Sequence, residues 1–290
     1  RSAVEAISTA TTAPTYENTL GALEQATEPL SRAASTVVHL ESIASTDALR
    51  AAYTAVLPQV QALFSSIPLD EGLYARLKAF AGTEEAETLS PARRRHLERT
   101  LRGFRRKGAE LDEAGKARLG ELDVELAKLT TKFSQNLLDE TNAFELVVTD
   151  EARLAGLPES ARDAARAAAE EKGVEGWRFT LQAPSLLAVL QHLEDASIRE
   201  QMWRAYTTRA SRGERDNRPI IRRILELRRA KAELLGYRDF ADFVLEERMA
   251  KTGADAMRFV DDLTERTRPF FEEETEELMA FRRELEGPDA

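Results

Sequence analysis

The chain contains no cysteine, and it has only three histidines and two tryptophans among its 290 residues. Without cysteine it has no disulfide framework, no thiol nucleophile and no cysteine-based metal site. The absence of cysteine also fits a reducing compartment. We therefore expect a cytoplasmic protein.

Long hydrophobic runs are also missing. The longest apolar runs, such as Leu186 to Leu190, are far shorter than the about 20 residues that span a membrane. The opening residues, RSAVEAISTATTAP, lack the hydrophobic core of a signal peptide. We expect no membrane partner. Because the chain has no initiator methionine and stops at EGPDA, we also expect it to be part of a longer protein.

Basic residues are outnumbered by acidic ones, 41 to 51, which gives a net charge of −10. Because nucleic-acid binding needs a positive field, we expect no nucleic-acid partner. The stretch from Arg93 to Lys107 departs from this balance, and four of its arginines share one helical face: Arg95, Arg99, Arg102 and Arg106. That face could bind phosphate or an acidic peptide, but a solvated face that pairs with Glu and Asp is the simpler interpretation.

The composition, 42% hydrophobic and 32% charged, is typical of a globular, helix-rich protein. Apolar residues recur every three or four positions over most of the chain, which predicts helices. Two segments instead favour strands: Phe144 to Val148 and Trp177 to Gln182. We predict a mostly α fold, an elongated multi-helix domain with one small two-stranded β ribbon at about 144–148 and 177–182. We divide it into an N-terminal helical subdomain, 1–140, and a ribbon with a helical slab, 141–290.

The part of the helical slab between Ile198 and Lys251 has the clearest signals for the starts and ends of helices. Asp216 is a suitable N-cap, Pro219 suits a first helical turn, and Gly236 suits the left-handed position after a helix end. After the slab, the sequence TGAD at 252–255 is a capping-box variant. It predicts the start of a long amphipathic helix.

Several segments are similar in sequence to the members of one protein family. They are PTYENTLGALE near the start, NAFELVVTDEARLAGLP and GWRFTLQAPSLLAVLQHLED around the ribbon, and RAYTTRAS, DNRPII, AKAELLGY and FADFVLEERMAK in the slab. These segments resemble the thimet oligopeptidase, oligopeptidase A and dipeptidyl carboxypeptidase family of zinc metallopeptidases. The resemblance covers nearly the whole chain and is most specific at 139–149 and 198–249.

Zinc peptidases of this family use a His-Glu-x-x-His helix, in which two histidines bind the metal and the Glu activates water. The histidines here, His39, His96 and His192, are each followed by Leu-Glu, and none has a second histidine four residues on. Residues two apart point to nearly opposite sides of a helix, so a His-x-Glu pair cannot chelate one ion. We interpret the three as ordinary helix-surface histidines. We predict no catalytic, cofactor-binding or metal-binding residue in this chain.

The resemblance implies that the chain is the N-terminal, non-catalytic half of such an enzyme. In the family this half forms one helical wall of a deep channel, and the zinc-bearing half follows it. The implied full-length protein is a zinc metallopeptidase that hydrolyses short peptides, with its own C-terminal catalytic half as partner of this chain. We expect the chain alone to be inactive. We also expect exposed apolar patches on the helices between Ile198 and Met249, which could make the chain a homodimer.

Two other interpretations stay open at this point. The first is a non-catalytic helical interaction or scaffold protein that has the same architecture. The second is a nucleic-acid-binding helical protein that uses the helix from Arg93 to Lys107. The acidic net charge makes the second the weaker of the two.

Overall fold

The computed structural model describes residues 1–44 and 46–288, and these residues are mostly α-helical, as predicted. The α-helices are α1 Ser2–Ser8, α2 Ala22–Ala44, α3 Asp47–Ser66, α4 Glu71–Ala81, α5 Glu84–Glu87, α6 Pro91–Arg106, α7 Glu113–Ala143, α8 Glu159–Glu171, α9 Ala183–His192, α10 Ala196–Thr207, α11 Arg218–Leu234, α12 Phe240–Leu245 and α13 Gly253–Glu286. The strands are β1 Leu146–Val148 and β2 Trp177–Phe179. Single turns of π- or 3-10 helix occupy Glu17–Gly21, Ile67–Leu69, Glu151–Leu154 and Gly213–Arg215.

The chain forms two compact units. The first comprises Arg1–Gly120 with Leu234–Gly236, and the second comprises Glu121–Glu233 and the chain from Tyr237 on. The boundary between residues 120 and 121 falls inside α7. The proposed division into subdomains 1–140 and 141–290 stays a prediction.

Helix α4 lies at the centre of the hydrophobic core of the first unit. Its side chains Leu73, Leu77 and Phe80 are completely buried, and their spacing places them on one helical face. The residues packed with them come from α1, from the turn before α2 and from α6, and include Ile7, Tyr16, Leu20, Leu97 and Phe104. Burial of this face of α4 against the neighbouring elements stabilises the first unit.

Arg76, also on α4, is a buried cation that holds the segment before α2. Its Nη1 atom donates hydrogen bonds to the carbonyl oxygens of Ala10 and Thr12, both at 2.9 Å. Its Nη2 atom donates to Oγ1 of Thr12 at 3.3 Å and to Oδ1 of Asn18 at 3.1 Å. Since all of these acceptors are uncharged oxygens, their dipoles replace the water that a buried guanidinium loses. Arg76 therefore helps to hold the segment between residues 10 and 18, together with the hydrogen bond from the N–H of Tyr16 to Oε1 of Glu85 at 3.0 Å.

The β ribbon lies in the second unit and is antiparallel. Its register pairs Leu146 with Phe179 and Val148 with Trp177, and these residues pack into the core of the second unit. Helix α8 packs on the same core through Ala165. The predicted ribbon is confirmed, although its second strand ends at Phe179 rather than Gln182.

The early end of β2 has a local cause. The backbone N–H of Thr180 donates to Oγ of Ser185 at 3.0 Å, which turns the chain into α9. A side chain of the next helix thus takes the donor that a longer strand would have used.

The predicted helix boundaries are confirmed at several caps. Oγ1 of Thr252 accepts the N–H of Asp255 at 3.1 Å and bonds Oδ2 of the same residue at 2.6 Å, so the capping box starts α13. The N–H of Arg218 donates to Oδ1 of Asp216 at 2.9 Å where α11 begins. Gly236 has a φ of +79° just after α11 ends, as its position in the sequence predicted.

Replacement of Arg76 by lysine should destabilise the first unit. An ammonium group keeps the charge but cannot reproduce the fork of donors that reaches three residues at once. We expect the free energy of unfolding, measured by urea denaturation and circular dichroism, to fall by about 2 kcal/mol or more. Arg95→Lys, on the exposed surface of α6, is the control and should change it by less than about 0.5 kcal/mol. Equal effects of the two variants would contradict the role given to Arg76.

Tyr74, on α4, has a hydroxyl that is buried against an acidic partner. The hydroxyl donates to Oε1 of Glu110 at 2.7 Å, and the ring stacks on Phe104 with 5.5 Å between ring centroids. Burial, with the hydrogen bond to the Glu110 carboxylate, raises the pKa of Tyr74 to about 12. The protonated phenol is therefore the form that the folded protein favours.

This raised pKa predicts a loss of stability at high pH. Because the folded-state pKa lies above the ordinary value of 10.0, the contribution is complete below pH 10 and is lost as pH rises towards 12. In an ultraviolet titration of tyrosinate, Tyr74 should ionise late, and the late absorbance step should be smaller by one tyrosine in Tyr74→Phe. Titration of all tyrosines of the folded wild type together near pH 10 would show that the prediction is wrong.

Candidate functional site

The three histidines do not form a common site. His39 is exposed on α2, and His192 is the exposed last residue of α9. His96, on α6, has its Nδ1 atom 3.1 Å from the hydroxyl oxygen of Tyr16, and the two rings meet edge to face. Within 1–44 and 46–288, no group of three or more His, Cys, Asp or Glu side chains is placed to hold a metal ion. The expectation that this chain contributes no catalytic or metal-binding residue stays a prediction.

The basic helix predicted between Arg93 and Lys107 is α6, and some of its arginines are paired within the first unit. Arg93 donates to Oε1 of Glu17 at 3.0 Å and lies 4.2 Å from the ring centroid of Tyr16. Arg94 donates to the backbone oxygen of Glu87. These pairs use basic side chains for contacts inside the unit, which favours the interpretation of α6 as a structural, partly solvated helix.

The most exposed element of the second unit is α13. This helix has 34 residues and no buried side chain, and it is about 50 Å long at 1.5 Å per residue. Among the large apolar residues of α13, the exposed Phe259 borders the face that most of them share, and the partly buried Met279 lies off it. The residues on that face recur at helical spacing and are each at least half exposed, apart from Leu263 at 49%. We call this set the α13 stripe: Met257, Val260, Leu263, Phe270, Phe271, Leu278, Phe281 and Leu285.

The α13 stripe is the main candidate for a functional surface. The large apolar residues on this face form three groups, at 257–263, 270–271 and 278–285, and Thr267 and Glu274 lie between the groups on the same face. Together the groups expose far more apolar surface than the scattered apolar residues of an ordinary surface, and such patches mark interfaces. In the second unit α13 packs against α12, and its partly buried residues lie mainly in its first turn, with Met279 near the other end. The opposite face carries acidic residues, including Glu272 and Glu276. The stripe therefore has the form of a helix face that packs against another protein surface.

The sequence predicted exposed apolar patches, but it placed them on the helices between Ile198 and Met249. Those helices do expose some large residues, namely Trp203, Tyr206, Ile221, Leu225 and Met249. The longer exposed apolar surface is on α13, for which the sequence pattern predicted only an amphipathic helix. The sequence signal that could have identified this surface is the length of the apolar stripe on α13.

A second apolar surface lies in the first unit, between α2 and α3. The cleft between these helices encloses about 230 Å3 and is lined only by Ala, Leu, Val and Tyr side chains, among them Leu30, Val37 and Val56. Helix α3 has no buried residue. The stretch from residue 51 to residue 69 contains no charged side chain, although 32% of the chain is charged. No polar group lines the cleft to orient a ligand.

No helix in the described part of the chain is long and apolar enough to cross a membrane. Charged residues occupy the face of α13 opposite to the stripe, so the exposed apolar residues of the stripe lie on one side of the helix.

Two family models match the chain. The model "Neurolysin/Thimet oligopeptidase, N-terminal domain" matches residues 2–116, and the model "Peptidase family M3" matches residues 189–289. The first match covers most of the first unit and the second lies at the other end of the chain. Together they confirm the resemblance that the sequence segments indicated.

Individual relatives agree with these models. The chain is 38% identical to oligopeptidase A of Haemophilus influenzae over 272 residues, which is 92% of this chain and 40% of that protein. It is 37% identical to oligopeptidase A of Escherichia coli over 280 residues, 95% of this chain and 41% of the relative. It is 35% identical to dipeptidyl carboxypeptidase of Salmonella typhimurium over 259 residues, 89% of this chain and 38% of the relative. The chain thus spans about two fifths of the length of these curated relatives.

Replacement of two residues of the α13 stripe should change the surface without changing stability. We expect Leu278→Gln with Phe281→Gln to lower the binding of a hydrophobic fluorescent dye, because both side chains are more than half exposed. The free energy of unfolding should change by less than about 0.5 kcal/mol. The control is Glu272→Gln with Glu276→Gln on the opposite face, which should leave dye binding unchanged. A loss of more than about 2 kcal/mol in the stripe variant would mean that these residues are buried.

Proposed function

The chain belongs to peptidase family M3, and we propose that it is the N-terminal part of a zinc-dependent oligopeptidase that hydrolyses short peptides. The observation that carries the proposal is the order of the two family matches, with the N-terminal-domain model at 2–116 and the M3 model from 189 on. Relatives named oligopeptidase A align along nearly all of this chain. The peptide substrates are inferred from those names.

In this proposal the α13 stripe packs against the C-terminal catalytic half of the same protein. The relatives are more than twice as long as this chain, so the remaining part is large enough to cover a helix of about 50 Å. Burial of the large apolar side chains of the stripe would stabilise the contact by roughly 25 cal/mol for each Å2 removed from water. A homodimer of the chain through the same stripe is the competing way to cover it.

The described residues of this chain do not fit a zinc ion. Zinc sites in peptidases use three protein ligands around one ion, with histidines often on one helix face. Here His96 packs against Tyr16, and neither His39 nor His192 belongs to a group of metal-binding side chains. We therefore assign no residue of this chain to zinc and derive no catalytic step from it. In the proposal the metal ligands lie in the remaining part of the protein.

The role proposed for this chain is that of a non-catalytic wall. Two rigid helical halves that face each other across a narrow channel admit a short peptide and exclude a folded protein. Restriction by walls raises selectivity without adding a catalytic group. The chain on its own is inactive in this proposal, because the catalytic groups are assigned to the remaining part of the protein.

A cytoplasmic location is part of the proposal. It is supported by the lack of cysteine in a chain of 290 residues. One relative from Arabidopsis thaliana is named a probable cytosolic oligopeptidase A, and another is named organellar, chloroplastic or mitochondrial. The location within the family therefore varies, and the cysteine content favours the cytoplasm for this chain.

A second candidate function is that of a helical interaction or scaffold protein. The observation that favours it is again the exposed α13 stripe, which could bind an unrelated partner as readily as a catalytic half. The two candidates differ in what happens to peptides. A scaffold hydrolyses none, in the 290-residue form or in any longer form.

The test compares the 290-residue chain with the longer protein that contains it, using a quenched fluorescent peptide as substrate. We expect hydrolysis by the longer protein, inhibition by a chelator, and no hydrolysis by the chain alone. Leu278→Lys with Phe281→Lys in the longer protein should lower activity by about tenfold or more, because two charges would enter an apolar contact. Glu272→Gln with Glu276→Gln should leave activity unchanged.

Three results would contradict parts of the proposal. Chelator-sensitive hydrolysis by the chain alone would show that the chain is catalytic. No hydrolysis by a folded longer protein would favour the scaffold function. Full activity of the folded lysine variant would show that the α13 stripe does not face the catalytic half.

A further inference from the structure

A groove in the second unit has properties that neither the sequence segments nor the relatives explain. It lies between α8 and α9, beside β2, and encloses about 530 Å3, which is in the range of ligand-binding clefts. Its walls are formed by small apolar side chains of the two helices, including Ala161, Ala164, Ala168, Leu187 and Ala188. Alanine walls allow the backbone of a bound chain to approach closely.

One side of the groove is formed by β2, in which Trp177 and Phe179 are buried and Arg178 is partly exposed. In the described residues β2 pairs only with β1, and no residue of β1 lines the groove, so the groove adjoins the other edge of β2. In an antiparallel pair, alternate residues direct their N–H and C=O groups away from the partner strand. Either Arg178 or its two neighbours must therefore direct these groups towards the free edge.

These outward backbone groups have no protein partner. Outside the ladder with β1, the described residues make no hydrogen bond to the backbone of Trp177, Arg178 or Phe179. The unpaired edge of a strand is a template for an additional extended chain. The short length of β2 limits that chain to a few residues.

Arg178 adds a second unsatisfied donor at the same place. It lines the groove, and its Nη2 atom donates to Oε1 of Glu145 at 2.8 Å. Its Nε atom is buried and has no hydrogen-bond partner within the described residues. A buried donor without an acceptor is unfavourable, and a carbonyl oxygen of a bound chain could satisfy it.

We propose that this groove binds an extended peptide segment, which adds a third strand to β2 and places small apolar side chains between α8 and α9. The strand edge supplies backbone hydrogen bonds, and the alanine walls select small apolar residues at alternate positions. The Nη2 atom of Arg178 is already paired with Glu145, so the donor that this side chain offers to a bound chain is its Nε atom. The choice of a peptide as ligand rests on the proposed function, and the site would hold substrate away from the catalytic residues.

The test measures binding to the 290-residue chain and does not depend on hydrolysis. The probe is an acetylated and amidated hexapeptide of alternating serine and valine, titrated into the isotope-labelled chain while amide resonances are recorded. We expect shifts confined to the residues around 177–182 and along α8 and α9. Saturable shifts there in a chain whose longer form hydrolyses nothing would uphold the groove and reject the proposed function. If no resonance shifts although the longer form is active, peptide binding in the groove is contradicted and the proposed function is not.

Two variants separate the groove from the rest of α8. Ala164→Trp places a large ring inside the groove and should weaken binding at least tenfold. Ala167→Trp lies on the same helix, is exposed and does not line the groove, so it should bind as the wild type does. Equal binding by the two folded variants would overturn the proposal.

Two altered peptides test the added strand on the unaltered chain, whatever the variants do. In one peptide the amide nitrogens of the odd positions are methylated, and in the other those of the even positions. A methylated amide cannot donate to a strand edge, so one of the two peptides should lose at least tenfold in affinity and the other should keep most of it. Binding of both peptides with the affinity of the parent would show that no strand is added.

Discussion

The removal of apolar surface from water is the constraint on which this molecule depends, and the chain meets it only in part. Each unit closes its own core, around Leu77 and Phe80 in the first and around Phe179 and Met202 in the second. The α13 stripe and the cleft between α2 and α3 are left outside both cores. Since apolar surface of this extent is costly in water, these two surfaces are the candidates for contact with another surface.

Local patterns in the sequence were sufficient for much of the fold. Capping groups lie within three residues of the helix ends that they define, as Thr252 and Asp255 show, and the alternation from Trp177 to Phe179 reports a strand without knowledge of its partner. Such features depend on neighbours in sequence. The sequence could therefore predict the mostly α fold and the ribbon.

The parts that the sequence could not predict depend on distant residues. Arg76 resembles any surface arginine in sequence, and its burial arises because Ala10 and Thr12, more than sixty residues away, supply its acceptors. The groove beside β2 likewise needs α8, β2 and α9 to be placed first. For the candidate surface, periodicity showed that α13 has an apolar face, but periodicity does not tell a covered face from an exposed one.

The uncharged stretch in α3 has a practical consequence for anyone who digests this protein. Trypsin cuts after lysine and arginine, and none occurs between Arg50 and Arg76. Arg76 is itself buried among its acceptors. Beyond Arg50 in its first turn, helix α3 is thus open to solvent and yet offers trypsin no site, so the accessibility of most of the helix would go unrecorded in a tryptic map. A protease that cleaves after tyrosine would report it, because Tyr53 lies within the helix and is followed by Thr54.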